Sequence, residues 1–185
     1  MQTEKLNDII EGCKNQKNRS QKALFETFYG KAMGICMRYV KDEDAANDVV
    51  QEGFIKLFKN IESFKSQGNF EGWLRKIFVN GSLDHIRSQK SRNTYPLEFS
   101  ENIEDEDALE FQYEKIAAIP AEKIYTAIKN LPVGYRTIFN LYAIEGYSHK
   151  EVSDILEIHE GTSKSSYHKA KKILAEELSL VKVLN

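Results

Sequence analysis

Ser148-His149-Lys150-Glu151-Val152-Ser153-Asp154-Ile155-Leu156, then Glu157-Ile158-His159, then Glu160-Gly161-Thr162-Ser163-Lys164-Ser165-Ser166-Tyr167-His168-Lys169 is the stretch that decides the fold. Ser148 and Glu151 stand at the S-x-x-E spacing of a capping box. In that motif the serine hydroxyl and the glutamate carboxylate each satisfy a backbone N–H left open at a helix start. Val152 and Ile155 supply an apolar side to a short helix over 148–156. A three-residue turn with one apolar side chain, Ile158, leads into a second helix over 160–178. A short capped helix, a tight turn and a longer helix make the helix-turn-helix plan. On the second helix Lys164, His168 and Lys171 recur at i, i+4 and i+7, with Lys169 and Lys172 beside them. Thr162, Ser165 and Ser166 place short hydrogen-bonding groups toward its N-terminal end, the end that enters the major groove in such motifs. Lysines suit phosphates and short polar groups suit base edges. Taken alone, the pattern also fits a lysine-rich solvated helix on an ordinary bundle.

Working back from this stretch, Pro120 suits the first position of a helix carrying Ile124, Ala127, Ile128 and Leu131 inward. Pro132 opens another, with Tyr135, Ile138, Phe139 and Tyr142 inward and Gly146 as its stop. Residues 93–119 show no sustained period. Asn93-Thr94-Tyr95-Pro96 breaks the preceding helix, and Glu101-Asn102-Ile103-Glu104-Asp105-Glu106-Asp107 has too little apolar area to order itself. This is a flexible acidic linker, with a short helix at 108–116. Before it, the chain reads as helices throughout. Leu6, Ile9, Ile10 and Cys13 share one stripe, and Phe25, Phe28, Tyr29, Cys36, Tyr39 and Val40 another. Asp42-Glu43-Asp44 starts a helix with Val50, Phe54, Leu57, Phe58 and Ile61 inward. A polar loop, Lys65-Ser66-Gln67-Gly68-Asn69, precedes a long helix over 70–92 with Leu74, Ile77, Phe78 and Ile86 inward. The expected fold class is all-α, with a helical bundle over 1–92, the linker over 93–119 and a helix-turn-helix domain over 120–185.

The composition suits a cytosolic chain. No apolar run approaches the roughly 20 residues that span a bilayer, and the polar start, Met1-Gln2-Thr3-Glu4-Lys5, does not resemble a secretory signal. Cys13 and Cys36 have neither the number nor the spacing of a disulfide framework or zinc site, and read as small apolar side chains. The formal net charge of −2 conceals a segregation. Residues 1–92 carry 16 basic against 12 acidic side chains (net +4), residues 93–120 one against 8 (net −7), and residues 121–185 nine against 8 (net +1). The acidic excess is confined to the linker and the flanks are mildly basic, a distribution open to nucleic acid.

Two further constellations lie in the first domain. Trp73, Asn80, Asp84 and Arg87 fall close to one stripe of the long helix, with Lys76 at its edge, opposite Leu74, Ile77 and Phe78. An exposed tryptophan beside Asn and Arg is a platform for an unstacked base; equally, a lone tryptophan is commonly core. Asp48, Gln51 and Glu52, beside Val49 and Phe54, form an acidic helix face that suits either a docking partner or solvent. Nothing points to catalysis or to a cofactor or metal. His85, His149, His159 and His168 do not form a ligand spacing, and there is no Gly-rich phosphate loop and no G-x-S-x-G.

These stretches resemble the extracytoplasmic-function (ECF) group of bacterial RNA polymerase sigma factors, in the sigma-70 family. In the first domain the resemblance rests on residues 48–58 and on Asn69-Phe70-Glu71-Gly72-Trp73-Leu74-Arg75-Lys76-Ile77 with Asn80, Asp84 and Arg87. In the second it rests on residues 131–142, on 145–152 and on Glu160-Gly161-Thr162-Ser163-Lys164-Ser165. It covers almost the whole chain outside the linker. It implies a non-enzymatic subunit that binds core RNA polymerase and promoter DNA, with no membrane insertion; an anti-sigma factor is a further partner the family allows. The face of Asp48, Gln51, Glu52 and Phe54 would bind the polymerase clamp. Lys65, Gln67, Asn69, Trp73, Lys76, Asn80, Asp84 and Arg87 would open and read the minus-ten element. Ser148, Thr162, Lys164, Ser165, Ser166, His168, Lys169 and Lys172 would engage the minus-thirty-five element. The linker would lie along the polymerase active-site path as a mimic of nucleic acid. A stand-alone helix-turn-helix regulator is the alternative; it accounts for the second domain and leaves the first unexplained. Two departures stand out: Glu157 where the family's turn usually has glycine, and His159 where it usually has a serine cap.

Overall fold

The computed structural model describes residues 2–65, 69–91 and 118–179, and every regular element among them is helical. The chain divides into two compact units, Met1–Arg92 and Asn93–Asn185. The expected helix at 108–116, the acidic run at 101–107 and Gln67 lie outside the described residues.

The first unit contains α1 (Gln2–Lys14), α2 (Asn18–Tyr39), α3 (Glu43–Asn60) and α4 (Phe70–Ser91), with a 3-10 turn, Ile61–Ser63, closing α3. Asp42 starts α3 as its N-cap: its Oδ1 accepts from the Ala45 N–H at 2.8 Å. Glu43 and Asp44 follow in the first turn, at the positive end of the helix dipole. Helix α2 packs against α1, α3 and α4, and α3 packs against α4. Leu24, Phe28, Ile35 and Tyr39 of α2, Val50, Phe54 and Leu57 of α3, and Leu74, Phe78 and Leu83 of α4 are buried between them. Phe54 is surrounded by the rings of Phe25 (4.7 Å), Phe78 (5.2 Å) and Phe58 (6.1 Å).

Helices α3 and α4 come close because residue 53 has no side chain. A Cβ built at Gly53 would lie 2.6 Å from Cδ1 of Phe78 and nearer still to Cε1. The two cysteines are free and buried, and burial pushes both thiols up to about 11. So little thiolate exists at neutral pH that they act as packing groups.

The second unit contains α5 (Ala121–Asn130), α6 (Val133–Phe139), a π-helical turn (Asn140–Ile144), α7 (His149–Leu156) and α8 (Glu160–Glu177). Pro120 and Pro132 stand one position before their helices, at the N-cap and not the first helical position. Ala127, Ile128 and Leu131 pack with Ala170 and Leu174 of α8. Ile138, Leu141 and Val152 are fully buried as well. The π turn widens the helix by one residue, with the Glu145 N–H donating to the Asn140 carbonyl at 2.9 Å. That extra residue shifts the inward face, so Leu141 is fully buried while Tyr142, predicted inward at 3.6 periodicity, is half-buried. Gly146 ends the segment at φ 81°, a left-handed conformation that glycine adopts without steric cost.

The second unit also buries a charge. Arg136 is only 4% exposed and its Nη1 donates to the carbonyls of Lys129 (3.0 Å) and Leu131 (3.1 Å). The guanidinium thereby closes the C-terminal end of α5, where carbonyls and the helix dipole both favour a cation. No helix among the described residues is long and apolar enough to cross a membrane.

Candidate nucleic-acid and polymerase interface

Each unit carries part of the candidate site. On α4, Lys76, Asn80, Asp84 and Arg87 are exposed and Trp73 is half-buried. They recur every three or four residues, which holds them on one side of a helix. The other side buries Leu74, Phe78 and Ile86 as predicted, together with Val79, Ser82 and Leu83, while Ile77 is half-buried. Trp73 sits against Phe64 (5.4 Å) and Phe70 (5.8 Å), which meet edge to face at 5.2 Å. It is thus neither core nor free: an aromatic base fixes the indole at the rim of the core. Lys65 is exposed. Asn69 has a local role, its Oδ1 accepting from the Gly72 N–H at 3.1 Å as a cap for α4. That amide oxygen is engaged within the chain and not offered to a base.

On α3, Asp48, Gln51 and Glu52 are exposed. Phe54 corrects the sequence reading: it is 3% exposed, inside the aromatic core. The helical period explains this, since the residue that rotates onto the side of Asp48 and Gln51 is Ile55. Ile55 is 54% exposed, an apolar group within an otherwise polar face, and the sequence reading missed it.

The helix-turn-helix forms as read. Ser148 caps α7: its Oγ accepts from the Glu151 N–H (3.2 Å), and Glu151 Oε2 accepts from the Ser148 N–H (2.8 Å) and hydroxyl (2.7 Å). Ser148 is therefore held by its own helix. On α8, Lys164 is exposed and Thr162, His168, Lys169 and Lys172 are half-buried. Ser165 and Ser166 are corrections: both are buried, at 7% and 0% exposure. Ser166 shares the inward stripe of Ser163, Ala170 and Leu174, and small side chains there let α8 approach its neighbours. The Ser165 hydroxyl turns back onto the Thr162 carbonyl at 3.2 Å. A serine-rich stretch reads as polar surface in one dimension; only packing shows which serines replace apolar core.

A family model described as Sigma-70 region 2 matches residues 24–92, and one described as Sigma-70, region 4 matches residues 121–174. The chain belongs to the sigma-70 family. Region 2 thus spans most of α2 with α3 and α4, region 4 spans α5 to most of α8, and α1 precedes both. This sigma factor is 27% identical to the ECF RNA polymerase sigma-E factor of Haemophilus influenzae, over 95% of this chain and 97% of that one. It is 27% identical to the ECF RNA polymerase sigma factor SigW of Bacillus subtilis, over 84% and 87% of the two chains. The relatives place it in the ECF group. Among solved structures, the sigma factor RpoE of Bartonella quintana, in complex with the anti-sigma factor NepR, shares the fold with a TM-score of 0.51 at 20% identity, over 86% of this chain and 96% of that one.

In this sigma factor the turn between α7 and α8 keeps a left-handed residue without glycine. Glu157 sits at φ 56°, ψ 48°, and His159 caps α8 with no side-chain hydrogen bond. A non-glycine residue in this conformation costs about 1 kcal/mol, and an absent cap about 1 kcal/mol more. The double substitution Glu157→Gly with His159→Ser is expected to stabilise the second unit by about 1–2 kcal/mol, allowing for glycine's larger entropy in the unfolded chain. Urea unfolding followed by the tyrosine near-UV circular dichroism that does not melt with Trp73 fluorescence measures this; an unchanged midpoint would show that the turn is unstrained.

His149 holds α7 against α8. Its ring stacks on Tyr142 at 4.0 Å and 13°, and its Nδ1 lies 2.9 Å from Ser163 Oγ. Tyr142 also packs on Tyr167 at 4.6 Å. Burial holds His149 below the usual histidine range, Lys164 pushes the same way, and Glu160 opposes both. The folded unit therefore favours the neutral ring. Its contribution to stability is complete above the unfolded pKa of about 6.5 and is lost as pH falls through it. Stability of the second unit is expected to drop on acidification below pH ~6.5, and the drop should shrink in His149→Gln. Equal pH profiles for the two proteins would remove His149 from the account.

Three outward cations are paired within the chain. Arg87 lies 3.3 Å and Lys56 3.8 Å from the two carboxylate oxygens of Asp84. Lys164 lies 2.7 Å from Glu160.

Proposed function

We infer that this protein is the promoter-recognition subunit of a bacterial RNA polymerase: it binds the core enzyme, directs it to promoters and helps open them, with no chemistry of its own. The observation that carries this reading is the occurrence of both sigma-70 regions, in order, on one chain whose α4 exposes Lys76, Asn80 and Arg87 and whose α8 exposes Lys164. On this reading the exposed face of Asp48, Gln51, Glu52 and Ile55 docks on core polymerase in the cytoplasm. Trp73, with Lys76, Asn80 and Arg87, receives unstacked bases of the minus-ten element, and Thr162, Lys164, His168, Lys169 and Lys172 engage the minus-thirty-five element. The acidic segment at 93–119 runs between the two recognition units along the polymerase. Neither unit carries enough positive charge to bind DNA tightly alone. Tethering both to one polymerase raises their effective concentration, so promoter choice depends on simultaneous engagement.

Run-off transcription by purified core polymerase, with and without the protein, on a library of genomic fragments tests the reading. New, discrete transcripts are expected. Intact duplex binding without any transcript would point instead to a stand-alone regulator. The division of roles is tested by two variants. Glu52→Lys is expected to weaken binding to core, and Trp73→Ala to spare core binding while lowering promoter opening by about fivefold to a hundredfold, as loss of a stacked base worth ~1–3 kcal/mol implies. Equal effects of the two variants on core binding would refute the division.

A further inference from the structure

Two of the candidate DNA-contacting cations, Arg87 and Lys164, are paired with carboxylates of their own unit. Asp84 stands within the α4 stripe, between Arg87 (3.3 Å) on its own helix and Lys56 (3.8 Å) on α3. Glu160, in the first turn of α8, holds Lys164 at 2.7 Å across one helical turn. Neither carboxylate contributes to a core, since all five side chains are substantially exposed. Neither is suited to a phosphate, because like charges repel. Each instead occupies the cationic partner that a phosphate would take.

We propose that Asp84 and Glu160 are specificity-determining residues that act as internal stand-ins for DNA phosphate, Asp84 offsetting one of the two positive charges of Arg87 and Lys56 and Glu160 neutralising Lys164, until a correctly placed backbone displaces them. The proposal rests on the sigma-factor reading and adds a reason for weak DNA binding by the free protein. Exposed ion pairs are individually weak, so exchanging a carboxylate for a phosphate is nearly neutral in free energy. Non-specific DNA, which offers only that exchange, gains little. A promoter engaged by both units at once gains base contacts in addition. The salt dependence follows from the same exchange. A cation binding bare phosphate releases counterions from DNA, but the carboxylate it leaves gathers counterions in turn, so the release is partly cancelled. The Glu160 carboxyl is held below its ordinary value, first by its hydrogen bond to Lys164 and then by the lysine's charge, so it is ionised at neutral pH.

The test measures binding of the full chain, without polymerase, to two fluorescein-labelled probes: single-stranded oligothymidylate and a mixed-sequence duplex. Asp84→Asn and Glu160→Gln are compared with Glu26→Gln, which removes the same charge from the Lys22–Glu26 pair on α2, outside the candidate interface. The expected result is an affinity gain of about threefold for each interface variant at low salt. Asp84→Asn should show it mainly on the single strand and Glu160→Gln mainly on the duplex. The salt slope should steepen by about 1 in each case, and Glu26→Gln should change little. In run-off assays with core polymerase both interface variants should lose discrimination between promoter and non-promoter fragments. A gain as large in Glu26→Gln would reduce the effect to net charge and overturn the proposal. A loss of affinity in either interface variant would mean that its carboxylate touches a base, and would overturn it as well. Wild-type protein that supports no transcript from core would instead bring down the sigma reading, independently of these affinities.

Discussion

Gly53→Val is expected to destabilise the first unit by about 3 kcal/mol, toward the upper end of what overpacking a core costs. The reason is local. Residue 53 lies where α3 meets α4, and any Cβ there enters the Phe78 ring. That ring is itself held by Phe54 at 5.2 Å and is fully buried, so it has no open space to move into. Gly53→Ala sets two effects against each other. Alanine gains about 1 kcal/mol of helix propensity over glycine, whereas the clash costs roughly 1–3 kcal/mol; the net expected change is destabilising. The chain has a single tryptophan, Trp73, within the first unit, so its fluorescence during urea unfolding reports on that unit. Phe78→Leu should partly rescue Gly53→Ala, giving a favourable coupling in a double-mutant cycle. A neutral or stabilising Gly53→Ala would show that α4 shifts freely away from α3. That outcome would weaken the rigid placement of the Trp73 stripe, because α4 carries both.

The second large effect is expected at Arg136. Truncation to alanine removes two charge-assisted hydrogen bonds to the Lys129 and Leu131 carbonyls and leaves a cavity. Bonds to charged groups contribute about 1.5–3 kcal/mol, and a buried carbonyl left unpaired adds a desolvation cost. A loss of about 3 kcal/mol is expected, a large part of the roughly 5 kcal/mol available to a small unit. Arg136→Met, which keeps volume but not the donors, should cost nearly as much as alanine. Arg136→Lys should cost less, since an ammonium retains a charge but not the planar fork. The part of the tyrosine near-UV circular dichroism that does not melt with Trp73 fluorescence follows the unit, and the Trp73 transition should stay in place. On the proposed function the consequence is selective: α8 loses its platform, so engagement of the minus-thirty-five element is expected to fail while core binding through the first unit is retained. A cost below ~1 kcal/mol would mean that water replaces the guanidinium at those carbonyls.

The local chemistry of the helices was legible without any tertiary contact. The Ser148–Glu151 capping box, the Asp42 start of α3 and the Gly146 stop each depend on a few neighbouring residues. The backbone groups they satisfy lie within one turn, so spacing alone determines them. The open stripe of Trp73, Lys76, Asn80, Asp84 and Arg87 was legible for a similar reason. A helix with Leu74, Phe78 and Ile86 on one side must present the opposite side elsewhere.

What the sequence could not settle depends on partners remote along the chain. Phe54 and Ile55 are adjacent apolar residues with opposite fates, decided by where α2 and α4 lie around α3. Ser165 and Ser166 look like base readers, yet packing around α8 buries them. Arg136 resembles a surface cation, and it is buried only because α5 ends its carbonyls beside it. The pairing of Asp84 with Lys56 joins two helices and was invisible to any reading of one helix at a time. Periodicity and caps are properties of a few consecutive residues, whereas burial and charge neutralisation belong to surfaces that exist only once the helices have packed.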